Sequence, residues 1–277
     1  MASTIGIVSI GQEQSFFAGR YFREIVTSVG RTAVERGCQV KIIPLSHAQA
    51  TSPETTRGVL AAQGIDALLV VAPSEALMAA LGEIFHEMPG IIISPPSLDI
   101  PLSYVASDNY GATRQLVDHL AGHGYSRILL LQPDILTGDY WERARGYEVA
   151  TRTLGLPHLV DSIPAQISAE RLQEILAARM PDAIIAPSDP EAAELIGLLR
   201  KLGRRVPQDV ALVGFDDEEF ASETNPPLTT VAQPIAEMAQ RATTYLADRL
   251  DGVDRRIYHA VLSNRLVVRA SCGSHKG

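Results

Sequence analysis

The sequence predicts an α/β protein of two similar lobes, each built on a parallel sheet with crossover helices. Short apolar runs alternate with amphipathic runs along the whole chain, which is typical of βαβ units. The alternation starts a second time after about Ala106. A length of 277 residues suits two lobes, and 46% hydrophobic residues are enough for a full core.

The first half of the chain contains four predicted strands with helices between them. Apolar residues at helical spacing, a proline at a first helical position and glycine stops mark these helices. The strands are predicted at 5–10, 40–45, 66–71 and 90–94, and the helices at about 18–36, from 52 to a stop at 64, and at about 74–86.

The second half repeats this pattern and ends in a different segment. Asp108 is predicted to cap a helix that ends at 122–124. Strands follow at 127–131, 182–186 and 210–215, with helices at 140–154, 168–179 and 188–203 and a less regular stretch from Leu156. The last segment is predicted as a return strap, with a helix at 235–250 for one lobe and strands at 256–262 and 265–268.

The strand Val210–Phe215 organises the second lobe and predicts a ligand site. It is an unbroken apolar run, so it is predicted to be buried on both faces of a parallel sheet. In open sheets of this kind, ligands bind beyond the carboxyl ends of the strands. Asp216 follows this strand directly and is predicted to accept hydrogen bonds from a ligand in a cleft between the lobes.

Two other loops at such strand ends carry aromatic side chains. Phe16 and Phe17 follow the first strand and could form an apolar wall for a ligand. Alternatively, one packs inward and the other staples the start of the next helix. Trp141, the only tryptophan, and Arg143 lie at the start of a later helix. Arginine gains nothing from the helix dipole there, so we expect Arg143 or Arg145 to have a partner and the other to be solvated.

Polar residues near the remaining strand ends have competing interpretations. Ser188 and Asp189 can contact a ligand or cap a helix, although both cannot cap it at once. The four acids from Asp216 to Glu219 favour a solvated turn with one inward carboxylate over a cation site. His119 and His123 are four residues apart, but no third ligand is evident, so no metal site is predicted.

Composition and missing motifs exclude several classes of function. A formal charge of -8 argues against a nucleic-acid or membrane surface on this chain. No dinucleotide, phosphate-loop or nucleophile-elbow motif is present, so we expect neither an enzyme nor a cofactor. The N-terminus has no secretory leader and no run could span a bilayer, which predicts a cytoplasmic protein. The two cysteines are expected to be unpaired.

Five motifs in order resemble the effector-binding part of the LacI/GalR family of bacterial transcription regulators. Each motif alone is weak, but the ordered set is specific and covers nearly the whole chain. The motifs are VPxDxxxVGFDD from Val206, PLTTVxQP from Pro227, Asp108-Asn109 and Gly111 with the His123-Gly124 turn, R-x-x-G-Y from Arg143, and Leu266–Arg269 with Ser271.

The resemblance implies a periplasmic-binding-protein-like fold of type I, with two Rossmann-like lobes joined by three crossovers. The N-terminal lobe would hold residues 1–106 and 234–262, and the C-terminal lobe residues 107–233 and 263–277. The implied ligand-binding residues are Phe16, Phe17, Arg143, Ser188, Asp216 and Gln233, to which we add Trp141. The implied effector is a sugar or sugar derivative.

The family also implies a homodimer in which effector binding changes the angle between the N-terminal lobes, and operator DNA that is bound through a helix-turn-helix headpiece. This sequence begins at the first core strand, so we expect a shortened form of a longer regulator. Ser188 stands where the family often has Asn. The alternatives are a solute-binding receptor of a sugar transporter, which should carry a leader, and an α/β enzyme, for which no catalytic set can be assembled.

Overall fold

Parallel β-sheets form the centre of both units into which the chain divides. A computed structural model describes residues 2–10, 20–50, 52–134, 138–253 and 256–273. The first unit comprises Met1–Ser107 and Pro234–Leu262, and the second comprises Asp108–Gln233 and Ser263–Gly277. The predicted α/β class with parallel sheets is confirmed.

The first unit is a six-stranded parallel sheet with helices on both faces. The strand order is β11-β5-β4-β3-β1-β2. The strands are β1 (Thr4–Ile10), β2 (Gln39–Leu45), β3 (Ala67–Val71), β4 (Gly90–Ile93), β5 (Tyr104–Ser107) and β11 (His259–Leu262). The helices are α1 (Arg20–Glu35), α2 (His47–Ala50), α3 (Pro53–Ala61), α4 (Glu75–Glu87) and α9 (Ile235–Leu250).

The second unit has a four-stranded parallel sheet and a separate two-stranded ladder. Its orders are β7-β6-β8-β9 and β10-β12. The strands are β6 (Ile128–Pro133), β7 (Leu159–Ile163), β8 (Ala183–Ile185), β9 (Ala211–Val213), β10 (Thr230–Ala232) and β12 (Arg265–Val267). The helices are α5 (Asn109–Gly122), α6 (Gly138–Leu154), α7 (Ala169–Arg179) and α8 (Asp189–Lys201), and a 3-10 turn covers Glu219–Ser222.

Each parallel sheet separates two apolar clusters, because successive side chains of a strand point to opposite faces. Leu130 of β6 packs with residues of α5 and α6, whereas its neighbour Leu131 packs with residues of α7 and α8. Leu68 and Leu69 of β3 are divided between two clusters in the same way. Burial on both faces explains why these strands read as unbroken apolar runs rather than alternating ones.

Several element boundaries differ from the prediction. Strand β7 occupies part of the stretch that the sequence pattern left irregular, and α2 was not predicted. The organising strand is only Ala211–Val213, although Val210 and Phe215 beside it are also buried. The predicted strand at 256–262 begins at His259.

Cys38 and Cys272 are not joined in a disulfide, and Cys272 is fully buried. Among the helices that the structure describes, none has the length and apolarity needed to cross a bilayer.

Candidate functional site

The strand order of the second unit indicates where a ligand would bind. The chain leaves β6 toward β7 on one side and reaches β8 on the other, so the order reverses between β6 and β8. Ligands of open α/β sheets bind beyond the carboxyl ends of the strands at such a point. Helix α6, which carries Arg143, follows β6, and Ser188 follows β8. Asp216 comes shortly after the adjacent strand β9.

Arg143 is buried at this edge and is held by neutral acceptors. Its side chain lies in the second turn of α6, and the residue is only 7% exposed. The Nε atom donates to Oδ1 of Asn109 at 2.8 Å, and Nη1 donates to the carbonyl oxygen of Pro187 at 2.6 Å. Arg145 is paired with Glu142 and has a 67% exposed side chain. The expectation that one arginine is partnered inside and the other is solvated is therefore met.

Two aromatic rings enclose the guanidinium of Arg143. Its central carbon lies 3.5 Å from the ring centroid of Phe215 and 4.9 Å from that of Tyr140. A cation over an aromatic face is attracted by the ring quadrupole, and the attraction is strongest where water is excluded. These contacts fix the orientation of the guanidinium before any ligand arrives.

Asp216, which follows β9 after Gly214 and Phe215, has an unusual backbone conformation. Its φ angle of 108° lies in a region that non-glycine residues rarely adopt. The backbone NH of Asp216 donates to the carbonyl of Val231 at 2.8 Å, which ties the turn to β10. Strained residues of this kind cluster at functional sites, where the surrounding structure maintains them.

The Asp216 carboxylate is turned toward Arg143 and Gln233. Its Oδ1 accepts a hydrogen bond from Nε2 of Gln233 at 2.7 Å and lies 3.9 Å from Nη2 of Arg143. The side chain is 23% exposed, so it is not immersed in bulk water. The other amide atom of Gln233, Oε1, is buried and accepts no hydrogen bond from any residue that the structure describes. Buried acceptors of this kind normally find a donor.

The acid next to Asp216 is paired with two arginines. Asp217 accepts from Nη2 of Arg269 at 2.6 Å and lies 3.8 Å from Nη2 of Arg265. No cluster of three or more metal-ligating His, Cys, Asp or Glu side chains occurs within the described parts of the chain. One carboxylate of the pair is therefore at the proposed site and the other is neutralised beside it.

Neither Ser188 nor Asp189 caps helix α8 through its side chain. Ser188 occupies the N-cap position, but its hydroxyl donates to Oε2 of Glu191 instead of accepting from the helix. Asp189 lies within the helix and is fully buried. Its two oxygens accept from Oγ1 of Thr230 at 2.6 Å and from the backbone NH of Glu218 at 2.8 Å. Asp189 thus connects α8 to β10 and to the turn that holds Asp216.

Two pKa values near this edge are raised, both mainly by burial. Burial, with the charges of Asp216 and Asp217, raises the pKa of Asp189 to about 7, even though its two hydrogen bonds act in the opposite direction. The pKa of Tyr140 is raised to about 12 by burial, and the carboxylates of Asp216, Glu191 and Asp139 contribute in the same direction. The positive charge of Arg143 acts against this increase.

The structure brings some of the predicted site residues together. Arg143, Asp216 and Gln233 form a connected cluster, and Ser188 follows Pro187, whose carbonyl holds Arg143. Trp141 lies on α6 with 55% of its surface exposed. Phe16 and Phe17 lie outside the described residues.

Four residues at this edge were not predicted as part of the site. These residues contact and orient Arg143 or Ser188: Asn109, Tyr140 and Phe215 contact Arg143, and Glu191 contacts Ser188. Asn109 lies in the D-N motif and Phe215 in the GFDD motif, but neither motif indicates that its residue contacts Arg143. The only available signal was the need for partners around an arginine at a helix start.

Comparisons with known proteins first define the class. Residues 117–272 match the family model of the periplasmic binding protein-like domain. A solved structure of a transcriptional regulator CelR–cellobiose complex superimposes with a TM-score of 0.85 at 31% identity, over 97% of this chain and 84% of that one.

Two curated relatives indicate the type of protein. The HTH-type transcriptional regulator CelR of Thermobifida fusca is 32% identical over 97% of this chain and 81% of its own length. The HTH-type transcriptional repressor CytR of Escherichia coli K12 is 26% identical over 91% of this chain and 75% of its own length. This chain belongs to the LacI family of transcription regulators and comprises the effector-binding core of such a regulator. The relatives are not enzymes, and they do not favour a transporter receptor.

Proposed function

We propose that this chain senses a sugar through Arg143, Ser188, Asp216 and Gln233, and that sugar binding controls a transcriptional repressor. Asp216 accepts hydrogen bonds from sugar hydroxyls, and Arg143 donates to them. Trp141 covers an apolar face of the sugar. Because a solved structure of the similar regulator CelR is a complex with cellobiose, cellobiose is the first compound to test.

The geometry of Arg143 is the observation that carries this proposal. A buried guanidinium is costly unless it is well partnered, and this one is held by Asn109, Pro187 and two aromatic rings. The carboxylate of Asp216 lies 3.9 Å from Nη2 of Arg143, which is too far for a direct hydrogen bond. The orientation of Arg143 is therefore set by its other partners and not by a salt bridge. A ligand hydroxyl can accept a hydrogen bond from Arg143 and donate one to Asp216, because a hydroxyl group does both.

The wider role follows from the family. We propose that the regulator acts as a homodimer in the cytoplasm and contacts operator DNA through a helix-turn-helix headpiece, not through this acidic core. The charge of -8 supports this division, because a surface that binds phosphate backbones is basic.

Calorimetry with a panel of neutral mono- and disaccharides, beginning with cellobiose, tests the proposal. We expect Arg143→Ala and Asp216→Asn to weaken binding of the best ligand about ten- to hundredfold, since hydrogen bonds to charged groups contribute about 1.5–3 kcal/mol. Arg152→Ala is the matched control, because Arg152 lies on the same helix with a 69% exposed side chain. Undiminished binding by both site variants would remove the proposed site, and a panel without any ligand would remove the sugar-sensing role.

A further inference from the structure

The side chains at this edge of the second unit present more acceptors than donors. An ionised carboxylate, such as that of Asp216 or Glu191, accepts hydrogen bonds but cannot donate them. Because a carboxylate cannot donate, Ser188 must use its single proton in the hydrogen bond to Glu191. The serine oxygen therefore offers only lone pairs to a ligand. Gln233 likewise directs its donor to Asp216, while its buried Oε1 accepts nothing from the described residues.

The charged donor at the same edge, Arg143, is already partly used. Arg143 directs Nε to Asn109 and Nη1 to Pro187, and its Nη2 faces the carboxylate of Asp216. The positive charge of Arg143, which would attract an anionic ligand, is thus already partly balanced by the carboxylate of Asp216. Arg143 and Asp216 can still bind a neutral hydroxyl group together, because a hydroxyl both donates and accepts hydrogen bonds.

The electrostatic balance points in the same direction. Three carboxylates act on the hydroxyl of Tyr140, those of Asp216, Glu191 and Asp139. Arg143 is the one basic group acting on that hydroxyl among the described residues. An anion placed beside the Tyr140 hydroxyl would therefore meet more negative than positive charge, and charges repel more strongly where burial limits screening by water.

We propose that this site selects an effector rich in hydroxyl donors and free of anionic groups, and that Glu191, acting with Ser188, is the residue that excludes phosphorylated sugars. This inference rests on the proposed sugar-sensing role and specifies its ligand class. A phosphate dianion has only acceptor oxygens, so it cannot donate hydrogen bonds to these acceptors, and its negative charge is repelled by the carboxylates. A polyol supplies the donors that Ser188, Gln233 and Asp216 accept.

Glu191 is a specificity determinant that the sequence motifs do not announce. The spacing Ser188-x-x-Glu191 resembles a capping box, in which the serine would accept from the helix backbone. In the structure the serine hydroxyl turns to the glutamate instead, so the pair defines the polarity of the site rather than the start of the helix.

Calorimetry at low ionic strength with cellobiose and cellobiose 6′-phosphate tests this inference, and any other neutral sugar that binds is paired with its own phosphate ester. We expect the neutral sugar to bind the wild-type chain at least tenfold more tightly than the ester. Glu191→Gln should reduce the ratio of the two affinities, neutral sugar over phosphate ester, at least threefold. Glu194→Gln, an exposed acid one turn further along the same helix, should leave the ratio unchanged.

The outcomes separate this inference from the proposed function. A phosphate ester that binds as tightly as the neutral sugar overturns the selection while the sugar-sensing role stands. Full discrimination that persists in Glu191→Gln overturns the assignment to Glu191. Absence of binding by every neutral sugar and every ester defeats the proposed function, and this inference with it.

Discussion

At the scale of single residues, the site depends on how buried charges are partnered. Arg143 has neutral acceptors and aromatic faces, and Asp217 has two arginines. Asp189 differs because it is fully buried with two hydrogen-bond donors and no ion pair among the described residues. A buried carboxyl without a cationic partner favours its neutral form.

Asp189 should therefore make the stability of the protein depend on pH. Its pKa rises from an ordinary value of 3.8 to about 7 in the folded chain. Below about pH 4 the carboxyl is protonated in both states, and between about pH 4 and pH 7 only the folded state keeps the proton. The contribution of this group to the free energy of unfolding is thus largest at low pH and is lost as the pH rises through 7. The loss is on the order of 4 kcal/mol, at about 1.36 kcal/mol per pKa unit.

The variant Asp189→Asn removes this titration. We expect the difference in unfolding free energy between Asp189→Asn and wild type to shift in favour of the variant by a few kcal/mol between pH 4 and pH 8. Urea denaturation at both pH values measures the shift. A difference that stays constant across this range would show that Asp189 is already ionised in the folded protein at the lower pH.

At the scale of elements, the strongest apolar patterns were predictable, whereas a strand with polar residues and a very short helix were not. Strands such as β3 and β9 are apolar because helices cover both of their faces, and this coverage is visible in sequence. Strand β7 is an edge strand with the polar residues Asp161 and Ser162, so its pattern lacks the signal of a buried strand. The short helix α2 spans only His47–Ala50, too short to show a helical period.

Gly146 shows how closely helices α5 and α6 approach each other. A Cβ added to this glycine would lie 2.3 Å from the carbonyl oxygen of Tyr110 in α5. The helix pair α5 and α6 carries Asn109 and Arg143, so this approach also positions the site.

The variant Gly146→Ala should therefore be destabilised, because the contacted atom belongs to the backbone and the helices must separate. We expect a loss of about 1–3 kcal/mol, the usual cost of overpacking. Gly197→Ala is the matched control, because Gly197 lies in helix α8 with no atom within 4 Å of its added Cβ. The control should gain roughly 0.5–1 kcal/mol from the better helix former. Equal stabilities of the two variants in chemical denaturation would contradict the close approach.

At the scale of the whole molecule, sequence reasoning supplied the fold class and the edge of the sheet at which to look. It selected Arg143 because an arginine at a helix start needs a partner, and Asp216 because ligands bind beyond the carboxyl ends of strands. The two side chains lie 3.9 Å apart in the structure. It did not identify Asn109, Tyr140 or Glu191, because their roles arise from contacts between elements distant in sequence. No local period or spacing encodes such contacts. The class of effector could be inferred only from the direction of each hydrogen bond in the structure.

The central claim is that Asp216 and Arg143 read the hydroxyl groups of a neutral sugar. A crystal structure of this chain grown with the tightest-binding neutral sugar tests it most directly. We predict a sugar hydroxyl within hydrogen-bond distance of the Asp216 carboxylate, about 2.5–3.0 Å, and another that accepts from the Arg143 guanidinium at about 2.7–3.2 Å. A sugar bound elsewhere, with neither residue in contact, would contradict the account.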